Sequence, residues 1–181
     1  MRGIVLTEFV DFADQAFAGA GSRLVPQPAN GRGLSPVATY PEDRLRGLVR
    51  DLSAIAGRSE DEVLRHFGTH LFHRFAAIYP VFFEGARDSI AFLARVHEHV
   101  HGDLRRFHPD AELPELHCAR LAEKHLVLEY RSPRPFADLA EGLVTGCVDY
   151  FGDDLEVARE DLPGPPGCAA RFTLRGRADA Q

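Results

Sequence analysis

The sequence has no excess of positive charge. Its 21 Lys and Arg stand against 27 Asp and Glu, a formal net charge of −6. A nucleic-acid partner would favour a basic face, so none is expected. Lysine is nearly missing: Lys124 is the only one, and the arginine count alone carries no functional weight. No apolar run approaches the roughly 18 residues of a membrane span, so no membrane role is expected. The opening MRGIVLTEFVDFADQ is charged too early for the apolar core of a secretory leader. Cys118, Cys147 and Cys168 are odd in number and widely spaced. They point to reduced thiols in a cytoplasmic protein rather than to a disulfide framework.

What is present suits one globular domain. The chain has 181 residues, 45% hydrophobic and 27% charged. A chain of that length buries about two-thirds of the surface it exposes when unfolded. GIVLTEFVDFADQAF places Val5, Phe9 and Phe12 near one helical face and predicts an N-terminal helix. Residues 19–40 are rich in Gly and Pro and read as the least regular part. Pro41 opens a helix to about Ala56, with acids in its first turn and Gly57 after it. Ser59-Glu60-Asp61-Glu62 is a capping box, and its helix is expected to run to about Ile78, before Pro80. A long helix follows over about 87–106. ELHCARL and HLVLEYR alternate around a turn and predict a hairpin. FADLAEGLVTGCVDYF is helical. DLEVARE and AARFTLRG are two more strands around DLPGPPG. The order predicts an α+β fold, an N-terminal helical part followed by an antiparallel sheet packed on helices.

The stretch VHEHVH, residues 96–101, contains H-E-x-x-H, the pattern of a zinc-peptidase helix with Glu98 as general base. On a helical wheel with His97 at zero, Ile90, Leu93, Val100 and Leu104 fall within about 60° of it. His97 therefore stands in the middle of an apolar stripe, while Glu98 and His99 point away and His101 lies at its edge. A zinc hydrolase needs both histidines and the glutamate to face one accessible cleft, and position 104 is Leu where the extended motif needs Gly. A core histidine bonded to a backbone carbonyl is the plainer reading of His97. A second row, His66, His70 and His73, has helical spacing and reads as a partly solvated face, with a metal site as the alternative.

EYRSPRPF follows the second strand of the hairpin. Tyr130, Ser132 and Arg134 stand at alternate positions, which point to one face of an extended segment. A phenol, a hydroxyl and a guanidinium then converge. That set suits a buried dicarboxylate: arginine offers a bidentate fork and the hydroxyls take the remaining lone pairs. Pro133 and Pro135 restrict the backbone between them. A strand end with surface polar residues is the plainer reading.

Y-x-S-x-R after such a hairpin resembles the hallmark of the H-NOX family (heme nitric oxide/oxygen binding, also called HNOB), to which the sensor domain of soluble guanylate cyclase belongs. MRGIVLTEFVDF resembles the family's opening helix. FHRFAAIYPVFFEGARDSIAFLARVHEHV resembles the stretch ending in its proximal-histidine helix, and PELHCARL…HLVLEYRSPR and LAEGLVTGCVDYFGDDLEV resemble its hairpin and the following helix and strand. The likeness spans nearly all the chain and is weakest at 19–40.

The resemblance implies a single H-NOX domain over 1–181, with a helical subdomain over about 1–60 and a heme-ligand helix and sheet subdomain over about 61–181, folded around a buried heme b. It implies that His97 is the proximal iron ligand and that Tyr130, Ser132 and Arg134 bind the propionates. Pro114 and Val5 would pack on the porphyrin, and Phe9, Leu71 and Leu139 would line the distal pocket. The H-E-x-x-H is then a coincidence of register. Some relatives hold a structural zinc near the C-terminus. Here Cys168 fits its last position, but Ala140 stands where a Cys is wanted and REDLPGPPG supplies neither His nor Cys, so no zinc is expected there.

The resulting expectation is a stand-alone bacterial-type NO sensor that also binds CO, not an enzyme. Its output would be a separate protein, such as a histidine kinase or a cyclic-di-GMP enzyme. Rival readings are an oxygen-binding or heme-storage protein on the same fold, a heme-free interaction module, and the zinc hydrolase.

Overall fold

The structure, a computed structural model, describes residues 1–25, 33–41, 43–96, 102 and 113–177. Helix α1 spans Gly3–Ala16. A short α2, Ala20–Leu24, follows it. Helix α3 spans Asp43–Ala56, α4 Glu60–Ile78 and α5 Ser89–Arg95, with a 3-10 turn at Pro80–Phe83 between the last two. Strands β1, Glu115–Ala122, and β2, His125–Arg131, form the first hairpin. Helix α6 spans Ala137–Phe151, and β3, Leu155–Asp161, and β4, Ala169–Gly176, close the fold.

The expected α+β architecture is present. The four strands make one antiparallel sheet in the order β1-β2-β4-β3, so the two hairpins join through β2 and β4. In that register Leu128 lies opposite Phe172, and Leu126 opposite Leu174. These residues and Tyr130 are buried on the face that packs on α5 and α6. Full burial of a side chain such as Phe172 contributes about 1.5–3 kcal/mol. A second apolar cluster is built by α1, α3 and α4 with Phe136 and Leu139.

The capping box at α4 forms as its sequence requires. Ser59 Oγ accepts from Glu62 N–H at 3.2 Å, and Glu62 Oε2 accepts from Ser59 N–H at 3.0 Å. Helices α4 and α6 then cross with their backbones touching. A Cβ at Gly142 would run into the Arg65 carbonyl, and one at Gly68 into the Leu139 carbonyl. The close approach lets Thr69 Oγ1 donate to the Gly142 carbonyl at 3.2 Å.

The described parts of 19–40, residues 19–25 and 33–40, hold more order than their composition suggests. Besides α2, the segment after residue 33 returns as a strap across the start of α1. Gly3 N–H donates to the Ala38 carbonyl at 2.8 Å, and Tyr40 N–H to the Met1 carbonyl at 2.9 Å. The α3 helix begins at Asp43, although Arg44 N–H already donates to the Pro41 carbonyl at 3.1 Å. Of the long helix expected over 87–106, α5 is the described element; residues 97–101 and 103–112 lie outside the described residues, and Gly102 between them is helical.

Candidate functional site

The end of β2 presents the three donors as the alternation requires. Tyr130 is buried, Ser132 and Arg134 are half-buried, and the intervening Arg131 and Pro133 are exposed. The strand does not simply run on. Ser132 N–H donates to the Cys168 carbonyl at 2.8 Å, and Arg134 N–H donates to Ser132 Oγ at 3.1 Å. The chain therefore turns with Ser132 at its centre. The Tyr130 phenol is hydrogen-bonded to the Ser132 side chain, and burial pushes its pKa up to about 12. Tyr130 thus stays a neutral donor throughout the physiological range. The Nη1 atom of Arg134 is withdrawn from solvent.

From Arg134 the chain enters α6 through Phe136, whose N–H donates to the Arg134 carbonyl at 2.9 Å. The first turn of α6 is held by an ion network that sequence reasoning did not find. Asp138 Oδ1 accepts from Arg65 Nη1 of α4 at 2.6 Å and from Arg159 Nη1 of β3 at 2.8 Å. Arg159 also reaches Glu141 at 3.0 Å and Asp161 at 2.7 Å. Asp138 is buried. A buried carboxylate with two guanidiniums on one oxygen fixes three elements together, one residue away from Leu139.

Phe9 of α1, Leu71 of α4 and Leu139 of α6 are all buried and belong to one apolar cluster, with Val5 half-buried against it. Phe67, one turn before Leu71, meets Phe9 edge-on with ring centroids 4.9 Å apart. Leu143, one turn after Leu139, lies against both apolar clusters of the fold. Neither Phe67 nor Leu143 was singled out from sequence. Their spacing of one helical turn from Leu71 and Leu139 was the available signal. Pro114 is half-buried just before β1.

His97, Glu98, His99 and His101 lie outside the described residues. The stripe that leads to His97 is described as far as Val96. Ile90 and Leu93 are buried against the sheet cluster, and Val96 has right-handed helical dihedrals. The other histidine row is split: His66 and His73 are exposed, and only His70 turns inward, against the Phe12 ring. Among the described residues, no three His, Cys, Asp or Glu side chains come together to hold a metal ion.

The three thiols are free. Burial raises the Cys118 pKa to about 11 and pushes Cys147 up as well, which makes both poor thiolates. Among the described residues, no helix is long and apolar enough to cross a membrane.

The arrangement pairs a phenol, a hydroxyl and a guanidinium at one strand end with an apolar wall from α1, α4 and α6. The family model HNOB, Haem-NO-binding, matches residues 2–159. The fold is similar to that of the H-NOX protein from K. algicida, solved in the Fe(II) unliganded form, with a TM-score of 0.85 and 25% identity over 100% of this chain and 99% of that one. It is also similar in fold to an H-NOX protein from S. oneidensis in the Fe(II)NO state, with a TM-score of 0.85 and 19% identity over 97% of this chain and 98% of that one. Comparison with curated protein sequences gives no match. The chain belongs to the HNOB, or H-NOX, family of haem-NO-binding domains.

Proposed function

We propose that this chain is a heme-based gas sensor that binds NO and CO at a ferrous heme b and signals to a separate protein rather than catalysing a reaction. The observation that carries the reading is the inward-facing set Tyr130, Ser132 and Arg134 at the end of β2. A neutral phenol, a hydroxyl and a guanidinium fit two propionates: the fork takes one carboxylate and the hydroxyls fill the remaining lone pairs. The buried Phe9, Leu71 and Leu139 fit the face of an apolar ring. The residues present therefore suit the group.

Bound there, heme would supply an iron that takes up NO or CO. His97 would hold that iron from the proximal side. Val5 and Pro114 would pack on the porphyrin, and Phe9, Leu71 and Leu139 would exclude water from the distal side. Through His97, the occupancy of that iron would be coupled to the position of the chain around it relative to the helices of the first 60 residues. A partner, such as a histidine kinase or a cyclic-di-GMP enzyme, would then read the difference between the two states. Such a shift does work only through contacts that differ between those states. The expected location is the cytoplasm.

The test is the absorption spectrum of the purified protein, reduced and then exposed to NO, CO and air. A Soret band that moves with NO and CO supports the reading. His97→Gly is expected to remove the protein ligand while the fold survives, and added imidazole to restore the spectrum. If His99→Gly or His101→Gly has the large effect instead, the assignment of His97 fails. Zinc near one equivalent, with proteolysis lost in Glu98→Gln, would replace the sensor with the hydrolase.

A further inference from the structure

The start of α5 is fastened to the end of α6 by a contact that belongs to neither helix's own hydrogen bonding. Ser89 is the first residue of α5, and its backbone N–H is one of the donors a helix cannot satisfy internally. That N–H donates to Asp153 Oδ2 at 2.7 Å, and the Ser89 hydroxyl donates to the same oxygen at 2.6 Å. Ser89 is fully buried. The ordinary capping role is filled by another carboxylate, since Asp88 Oδ1 accepts from Ala91 N–H at 2.6 Å. Asp153 therefore does something beyond capping: it joins α5 to a second element.

Asp153 is itself held tightly. Gly152 ends α6 in the left-handed region, at φ 67°. Its N–H returns to the Asp149 carbonyl at 3.2 Å, and Asp153 N–H returns to the Val148 carbonyl at 3.2 Å. This closing turn needs a glycine and aims the next side chain at Ser89. Further along α5, the Cys118 thiol of β1 donates to the Leu93 carbonyl at 3.3 Å. Phe92 stacks on Phe83 with centroids 4.7 Å apart. The base of α5 is thus bound to α6, β1 and the 3-10 turn.

The same α6 carries Leu139 in its first turn and Asp153 just past its last. It runs from the apolar wall of the candidate gas pocket to the base of the helix that leads, in sequence, to His97.

Resting on the sensor reading above, we propose that Asp153 is a positioning residue for gas sensing: through Ser89 it pins the base of α5, the helix that precedes His97 in sequence, to the end of α6. Pinned at its base, α5 would resist a pull exerted through His97 by a bound iron; with Asp153 removed, α5 would yield to that pull.

The experiment uses the full heme-loaded chain and the variants Asp153→Ala, Asp153→Asn and Ser89→Ala. Two readouts are taken: amide hydrogen exchange across residues 89–93, and the share of the NO complex in which His97 stays on the iron, by absorption and electron paramagnetic resonance. Asp153→Ala is expected to speed exchange at the Ser89 amide by about tenfold or more, the mark of a locally opened helix start. It is also expected to raise the His97-bound share over the unmodified protein. Asp153→Asn can still accept both bonds through its amide oxygen and should match the unmodified protein in both readouts. Ser89→Ala removes only the hydroxyl bond and should fall between, which keeps the test usable if Asp153→Ala folds poorly.

Equal His97-bound shares in the unmodified and Asp153→Ala proteins would overturn the inference, as would Asp153→Asn behaving like Asp153→Ala. Failure of the sensor reading looks different: the unmodified protein would take up no heme at all.

Discussion

Glu8 of α1 and Arg74 of α4 meet in a two-pronged ion pair, Nε to Oε2 at 2.6 Å and Nη2 to Oε1 at 3.2 Å. Only 4% of Glu8 is exposed. It stands next to Phe9, so the pair fixes the register of α1 on α4 just where both helices contribute to the apolar wall. Its two ends are unequal, because the Arg74 side chain is 43% exposed. Arg74→Ala strands a buried carboxylate, whereas Glu8→Gln leaves a guanidinium that can turn to water. Thermal melting at pH 7 is therefore expected to place Arg74→Ala below Glu8→Gln. The reverse order would mean that Glu8 is not buried as described.

His70 lies beside the same pair, its Nε2 3.9 Å from Glu8 Oε2. Burial is the main influence on it and holds its pKa below the usual histidine value, against the pull of Glu8 and Asp11 and with the help of Arg74 and His73. A histidine depressed on folding gives up protons that the unfolded chain keeps. Its share of stability is complete above the unfolded pKa, about 6.5, and is lost as pH falls through the lower folded value. Melting temperature is thus expected to fall between pH 7.5 and pH 5.5, and the fall to be smaller in His70→Gln. An identical fall in both proteins would assign the pH dependence to other groups.

Local pattern made much of this fold legible. The capping box fixed the start of α4 because both of its bonds lie within four residues, and the hairpins showed in their alternation. Tyr130, Ser132 and Arg134 were readable as a set because five residues contain them all. Helix α2 was not readable, since five residues carry too little periodicity. It is held instead by distant fits: a Cβ at Gly21 would strike the Val10 carbonyl, and Ser22 N–H donates to Asp14 Oδ1 at 3.0 Å. The Arg65–Asp138 and Ser89–Asp153 bonds join residues 73 and 64 apart, and no local spacing announces such pairs. The assignment of His97 still rests on its place in the stripe and on the family resemblance, because the residue lies outside the described ones.

Arg134 and Ser132 are expected to differ in how much they contribute to heme retention. A guanidinium on a propionate makes charge-assisted bonds of roughly 1.5–3 kcal/mol, against roughly 0.5–1.5 kcal/mol for a neutral hydroxyl. Ser132 has a second task, since its Oγ accepts from Arg134 N–H and shapes the turn. Ser132→Thr should therefore retain heme better than Ser132→Ala. Heme transfer to an apo-globin acceptor is expected to be fastest from Arg134→Ala, slower from Ser132→Ala and slowest from the unmodified protein. Equal rates from Arg134→Ala and the unmodified protein would remove Arg134 from the propionate site.

Gas selectivity is expected to follow from the apolar wall. Bound O₂ draws electron density from ferrous iron and gains from a nearby hydrogen-bond donor, whereas bound NO depends on one far less. The three candidate distal positions, Phe9, Leu71 and Leu139, are buried and none carries a donor. Tyr40 stands on the strap over α1, where its hydroxyl accepts from Ser35 N–H at 2.8 Å, and Tyr79 is exposed at the end of α4. One neutral hydrogen bond is worth about 0.5–1.5 kcal/mol, up to about tenfold in affinity. The reduced protein is therefore expected to bind NO and CO and to form no stable oxy complex in air. Leu139→Tyr places a phenol on α6 facing the same cluster, and is expected to introduce weak O₂ binding, held low because Phe9 and Leu71 offer that phenol no polar support. Absorption spectra of both proteins under air decide the matter. A persistent oxy spectrum in the unmodified protein would overturn the apolar assignment, and Tyr40→Phe would then show whether the strap supplies the missing donor.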